Sequence, residues 1–292
     1  MATLRDIKLR IKGVKSTQQI TKAMKMVSTA KLRRATESIL NARPYAKKIS
    51  VLLSHLVNEE DKKSNPLFAE REIKNVAIVV VTADRGLCGA FNTNIIKEAV
   101  NYIEENIKQK RLSYQLYCLG KKGTDYFSRR DYNIAAKYPG IFSQLDYTVA
   151  QGLVDEIIPK YLDGRIDKVI LIFNEFRSII QQKIVVEQFL PIISSDEKEV
   201  EKHDPANYIY EPDQKAIFNY LIPKHLKGQM WRVLLESNAS EVAARMTAMD
   251  NATTNAKELI RTLSLTYNSK RQAAITTEIL EIVSGANALN EG

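Results

Sequence analysis

The residues best placed to do chemistry form one glycine-rich turn, TADRGLCGAFNTN, from Thr82 to Asn94, directly after the most apolar stretch of the chain. In a doubly wound α/β sheet, ligands bind where such a turn leaves the end of a strand. Its backbone amides could cradle an anion, with Arg85 adding charge. The spacing, however, is neither G-x-G-x-x-G nor G-x-x-x-x-G-K-[ST], so a tight structural turn is the simpler reading. Asp84 and Arg85 could pair with each other or meet a partner. The three histidines, His55, His203 and His225, lie far apart in sequence and read as surface residues. The two cysteines, Cys88 and Cys118, cannot build a disulfide framework and have no second Cys or His at zinc-ligand spacing. Cys88, set among glycines, reads as a small packed residue rather than a nucleophile. No G-x-S-x-G elbow, H-E-x-x-H pair or paired-carboxylate motif is found. The expectation is therefore no catalytic residue, no cofactor and no metal.

Charge is the second chemical signal. The 292 residues carry a formal net charge of +9, yet residues 1 to 48 alone hold 13 basic side chains against two acidic ones, Asp6 and Glu37. The remainder of the chain is slightly acidic. Lys8, Arg10, Lys12, Lys15, Lys22, Lys25, Lys31, Arg33 and Arg34 could track a phosphate backbone, form a solvated helix face, or meet an acidic protein surface. No aromatic residue interleaves with them before Tyr45, which weakens the nucleic-acid reading relative to the protein one. The longest apolar run, Val76 to Val81, is far shorter than the roughly 20 residues a membrane-spanning helix needs. The N-terminus also lacks the apolar core of a secretory signal.

The elements that must carry these residues fall into three zones. From Thr3 to Arg43 there is one glycine and no proline, and Leu4, Ile7, Ile11, Val14, then Ile20, Met24 and Val27 recur at helical spacing. Pro44 predicts a kink or restart, with a second helical piece from Tyr45 to about Asn58. A polar linker spans Glu59 to Asn65. The middle zone alternates strand-like runs at 75–82, 115–120, 133–138, 168–174 and 183–191 with helical stretches at 91–109, 121–129 and 147–161. That alternation predicts a mostly parallel five-stranded sheet covered on both faces, with the last two strands antiparallel. A charged linker from Ser194 to Pro212 follows.

From Gln229 to Ser284 there is neither glycine nor proline over 56 residues, about 84 Å if helical. Apolar positions alternate by four and three through Val242, Met246, Met249, Ala256, Ile260, Leu263 and Tyr267, then through Ile275, Ile279, Ile282, Ala286 and Leu289. The two series join through a stutter at Arg271. A basic helix at one end and a slightly acidic one at the other predict an antiparallel pair. The fold class expected is thus α/β: a long antiparallel coiled coil of the terminal helices (1–58 and 213–292) plus a Rossmann-like domain over 73–193.

Four blocks in order, ITKAMKMVSTAKLRRA (20–35), ADRGLCGAFN (83–92), ASEVAARMTAMDNATTNA (239–256) and RQAAITTEILEIVSGANAL (271–289), resemble the gamma subunit of F-type ATP synthases from end to end. The resemblance implies a central rotor shaft inside a ring of α and β subunits. It further implies a globular end fixed to the epsilon subunit and the c-ring, indirect relations with delta and other stator subunits, and no nucleic acid. Carried over by position, Arg271 and Gln272 match a pair that contacts a catch loop of a β subunit. Met24 and Arg245 match positions that couple rotation to catalysis, and Thr276, Glu278 and Glu281 match their neighbours on the C-terminal helix; ordinary seam or surface roles remain open for all seven. The redox-controlled segment of chloroplast relatives has no counterpart, and the start MATLRDIKLRIKGV looks bacterial. The expected location is the cytoplasmic face of a bacterial inner membrane, peripherally bound. Two other readings stand beside this one: a nucleic-acid-binding adaptor using the basic helix, and a small-ligand enzyme using the Thr82–Asn94 turn.

Overall fold

The computed structural model describes residues 3–56, 65–69, 71–179, 181–192, 211 and 213–290. The chain divides into two compact units, one formed by residues 1–28 with 246–292 and the other by residues 29–245. The polar linker expected at 59–65 and the charged one at 194–212 lie almost wholly outside the described residues, as do His203 and the side chain of His55.

In the first unit the ends of two helices, α1 (Leu4–Leu56) and the last helix, α5 (Gln214–Asn290), run side by side. Thr3 starts α1 as a reciprocal cap: its amide donates to Asp6 Oδ2 at 2.9 Å while the Asp6 amide donates to Thr3 Oγ1 at 3.2 Å. Thr253 Oγ1 donates to Thr21 Oγ1 at 2.8 Å, and Lys25 Nζ lies 2.6 Å from Asp250 Oδ1. As one number rises by four the other falls by three, so the pair is antiparallel.

The inward positions of α1 here are Ile7, Ile11, Val14, Gln18, Thr21 and Ser28, while Ile20 and Val27 are exposed. Ile20 and Val27, part of the apolar series read at helical spacing, thus lie off the buried face. A coiled-coil stripe repeats every seven residues, so Ile7 and Val14 commit Thr21 and Ser28 to the interior and turn the residues just before them outward. The hydroxyl pair Thr21–Thr253 supplies the partner that a polar seam position needs.

In the second unit, strands β1 (Asn75–Val81), β2 (Ser113–Leu119), β3 (Ile134–Tyr138), β4 (Lys168–Phe176) and β5 (Gln182–Leu190) form one sheet in the order β3-β2-β1-β4-β5. The first four are parallel and β5 is antiparallel to β4. Both faces are covered. Ala77, Val79 and Val81 of β1 point into a core shared with α4 (Tyr147–Leu162), with Ile49 and Leu53 of α1 and with Phe218 to Leu234 of α5. Val76, Ile78 and Val80 point into the other core, closed by α2 (Phe91–Tyr102), its π-helical extension Ile103–Lys108, and α3 (Lys121–Ser128). Continuous apolar strands are what burial on two faces requires.

Helix α1 runs on through Pro44, against the expected kink or restart. Proline deprives the Leu40 carbonyl of its helical partner, but both residues are exposed, so water can take that bond. Burial of Ile49 and Leu53 one and two turns later holds the continuation in place. Similarly α5 begins at Gln214 and passes through Pro223 and Gly228, well before the glycine- and proline-free stretch.

Candidate functional site

The Thr82–Asn94 turn is built from inside. Thr82 is fully buried; its Oγ1 donates to Leu119 O at 3.0 Å and accepts from the Gly123 amide at 2.8 Å. The Asp84 carboxylate accepts three backbone amides, from Lys121 at 2.9 Å, Gly140 at 2.7 Å and Phe142 at 2.9 Å. Asp84 therefore ties the turn to the ends of β2 and β3 instead of pairing with Arg85. Asn92 closes the turn from its far side, accepting from the Ala83 amide at 2.9 Å and donating to Cys88 Sγ at 3.2 Å.

Helix α5 crosses the carboxyl ends of β1 and β4, the crevice where a doubly wound sheet would hold a ligand. Glu236, buried, accepts the Phe176 amide at 2.9 Å and faces Arg43 at 3.4 Å. Ser240 Oγ donates to Asn174 O at 3.2 Å. Arg245 pairs with Glu241 one turn back and donates through Nη2 to Gly86 O at 3.2 Å and Arg85 O at 3.4 Å. Ala244 packs on Ala83, Cys88 and Phe91. The slot considered for a small anion is thus filled by the chain's own helix and guanidinium.

Burial sets the protonation of the groups around this contact. It raises the Glu241 carboxyl against the pull of Arg245, and it raises the Cys88 thiol, with the Glu241 charge adding to the effect. Cys118, inside β2, is pushed up to about 12 by burial. Neither thiol is primed for nucleophilic chemistry. His225 corrects the expectation of three surface histidines: it is half-buried on α5, and burial, assisted by Arg232, lowers its imidazole to about 4. No cluster of three or more metal-ligating side chains occurs among the described residues.

The remaining candidates lie in the first unit. Met24 is half-buried on α1. Arg271, Gln272, Thr276, Glu278 and Glu281 are all exposed on α5, Thr276 back-bonding to Gln272 O at 3.0 Å. Carrying the Thr21–Thr253 register back to Leu4, where α1 starts, reaches about residue 270 of α5. Beyond that point α5 has no antiparallel partner among the described residues, and Ile275, Ile279, Leu280, Ile282 and Val283 are 46–71% exposed. The second apolar series, expected to be part of the paired seam, is therefore open, and the stutter at Arg271 falls where pairing stops. The basic side chains Lys8, Arg10, Lys12, Lys15, Lys22 and Lys31 are likewise exposed, whereas Lys25 is spent on Asp250.

Sequence reasoning missed Glu236 and Ser240, whose partners are remote in sequence, and it missed Glu241. Only the Glu241–Arg245 spacing of four carried a visible signal. It also missed Leu87, which sits at φ 63° with 65% of its surface exposed.

In one unit the helix ends pair antiparallel, and in the other a segment of α5 lies over the carboxyl ends of a Rossmann-like sheet, which defines an α/β protein with a coiled-coil unit of its own. A family model described as ATP synthase matches residues 3–289. The chain is 54% identical over 304 residues to the ATP synthase gamma chain of Chloroherpeton thalassium, covering 100% of this chain and 99% of that one. It is 50% identical over 294 residues to the gamma chain of Chlorobaculum tepidum, covering 100% of both. Among solved structures, the central stalk and c-ring assembly of Tetrahymena thermophila mitochondrial ATP synthase matches with a TM-score of 0.61 at 25% identity, over 80% of this chain and 99% of that one. The chain belongs to the ATP synthase gamma-chain family. No helix among the described residues is long and apolar enough to cross a membrane.

Proposed function

We propose that this chain is the central rotor shaft of a proton-translocating ATP synthase. It turns with a membrane c-ring and an epsilon subunit and carries that rotation to the catalytic sites of a ring of α and β subunits. It performs no bond chemistry of its own, and it works as a peripheral protein on the cytoplasmic face of a bacterial inner membrane, with delta and other stator subunits related to it only indirectly. The observation that carries the reading is the open end of α5: from Arg271 to Val283 the helix holds out polar, charged and apolar side chains that no described residue covers. Family membership over the whole chain supplies the partner that such a surface needs.

A shaft that turns inside a sleeve must not bind one orientation far more tightly than the others. The mixture along this end, with Arg271, Gln272, Thr276, Glu278 and Glu281 beside the isoleucines, suits shallow and repeated contacts. Arg271 and Gln272, at the point where α1 gives out, are assigned to a β subunit. Replacing both by alanine in the assembled complex is expected to lower ATP hydrolysis and ATP-driven proton pumping, with the isolated chain folding as before. Unchanged coupling would remove these two residues from the contact.

A further inference from the structure

Where α1 and α5 pass each other in the second unit they leave a groove of about 390 Å³. Ile39 and Ala42 of α1 line it together with Trp231 and Leu235 of α5. Tyr147, the first residue of α4, stands at its edge, its ring edge-on to that of Trp231 at 5.8 Å. Gly228, three residues before Trp231 on α5, opens onto the same space. Glycine is poorly suited to a helix interior. Close packing is the usual reason for one there, yet a Cβ at Gly228 would meet nothing within 4 Å. Alanine would fit and would favour the helix, so the fold gains nothing from the glycine. What the missing side chain leaves is room in the groove, beside the one tryptophan of the chain.

The charged groups of the groove differ in how fully they are engaged. Arg232 Nη2 bridges both carboxylate oxygens of Glu187, at 2.7 and 2.8 Å. The Glu236 side chain is 5% exposed, and one of its oxygens accepts the Phe176 amide. Arg43 meets the other oxygen only at 3.4 Å, longer than a charge-assisted bond normally is, and its side chain is 53% exposed. Two guanidiniums and one carboxylate line the groove, so its wall carries net positive charge. Arg43 is the cation with room to turn toward a newcomer, and a guanidinium fork matches the two oxygens of a carboxylate. A largely apolar space of this size with a convergent charge at its rim has the form of a small-molecule site.

We infer that this groove binds a small amphipathic monocarboxylate, its apolar body laid against Trp231, Ile39 and Leu235 over Gly228 and its carboxylate received by Arg43. Glu236 keeps the Arg43 guanidinium at the rim, and Arg232, fixed by Glu187, adds a second positive charge behind it. Because α1 and α5 supply different walls, the ligand ties the two helices together within this unit and stabilises it by mass action. Every residue of the groove belongs to the second unit, so the inference does not depend on the proposed rotor role.

Octanoate, octan-1-ol and octylamine share one apolar body and differ in the head group, which makes them suitable probes. Each is titrated into the full-length chain, with Trp231 emission as one readout and equilibrium dialysis as the other. Octanoate is expected to saturate at one molecule per chain, octan-1-ol to bind about tenfold more weakly, and octylamine more weakly still. Arg43→Gln should weaken octanoate about tenfold and leave octan-1-ol unchanged. Gly228→Leu fills the groove and should abolish octanoate binding, with circular dichroism showing that the chain is folded. Gly228→Ala, which favours the helix, repeats the comparison in a smaller step and should weaken octanoate about fourfold, the equivalent of one displaced methylene. Binding that does not saturate, or that both glycine variants leave intact, overturns the inference. Octan-1-ol binding as tightly as octanoate would remove the carboxylate from the recognition, and octylamine binding more tightly would make Glu236 the dominant charge; either result overturns it. Emission that changes with protein concentration in the absence of any probe would mean that a second copy of the chain covers the groove, and overturns it as well.

Discussion

Two glycines with nearly the same backbone φ separate two costs that are usually confounded. Gly120 has φ 89° and Gly140 has φ 86°. A Cβ at Gly140 would meet nothing within 4 Å, whereas one at Gly120 would lie 2.0 Å from Thr82 O and 2.7 Å from its carbonyl carbon. Gly140→Ala should thus pay only for a left-handed alanine, about 1–2 kcal/mol. Gly120→Ala pays that and must also push two backbone segments apart, since neither contacting atom can rotate away. The movement strains the bonds Thr82 N to Leu119 O at 2.8 Å and Gly123 N to Thr82 Oγ1 at 2.8 Å. Losing two such buried bonds adds about 2–4 kcal/mol, for a total near 5 kcal/mol. Urea unfolding followed by the fluorescence of Trp231, which packs against the core of the same unit, gives the comparison. The Gly120→Ala midpoint should fall at least about 1 M further than that of Gly140→Ala. Equal shifts would refute the steric argument and, with it, the close approach of β1 and β2 at this end of the sheet.

Asp84→Ala removes the acceptor for three amides and should destabilise the second unit by about 3 kcal/mol, with Asp84→Asn losing roughly half as much; hydrogen exchange at Lys121, Gly140 and Phe142 should accelerate in both, and unchanged exchange would contradict the assigned bonds. His225 gives a pH dependence. With its folded value lowered to about 4 from an ordinary 6.5, its contribution is complete above pH 6.5 and is lost as pH falls toward 4, because the unfolded chain takes up the proton first. The loss amounts to about 3 kcal/mol, and His225→Gln should flatten the stability profile across that window. A parallel profile in the variant would show that the imidazole titrates normally.

The middle of the chain was legible because its signals are local. Runs such as NVAIVVVT and KVILIFN, short and rich in β-branched residues, read as strands buried on both faces, and the intervening three-and-four patterns give the covering helices to within a few residues. The long helices were legible in outline but not in detail. Pro44 by its own chemistry predicts a break, whereas the helix is continued by Ile49 and Leu53 downstream and by solvent at Leu40. Apolarity alone puts Ile20 and Val27 on the helix's apolar face, yet Thr21 and Ser28 are inside while Ile20 and Val27 are outside, because a fixed repeat of seven outranks the hydrophobicity of single positions. His225 looked like a surface residue since nothing nearby in sequence announces burial. The role of Asp84 was equally hidden, as its three donors come from 37 to 58 residues away.

The same division holds for the candidate site. The glycine-rich turn could be found from sequence, but not that α5 lies across it with Glu236, Ser240 and Arg245 directed at the strand ends. Nor did periodicity alone separate the covered part of the C-terminal seam from the open part. The apolar series before and after Arg271 look alike as sequence; they differ because α1 starts at Leu4 and cannot reach the second series.

The central claim is that this chain is the single shaft of a catalytic ring. Mixing it with separately purified α and β subunits, isolating the complex by size, and determining both the subunit ratio and Mg-ATP hydrolysis addresses that claim most directly. The account predicts one copy of this chain per ring, with hydrolysis that depends on its presence. A complex that excludes the chain, or hydrolysis that is the same with and without it, would contradict the account.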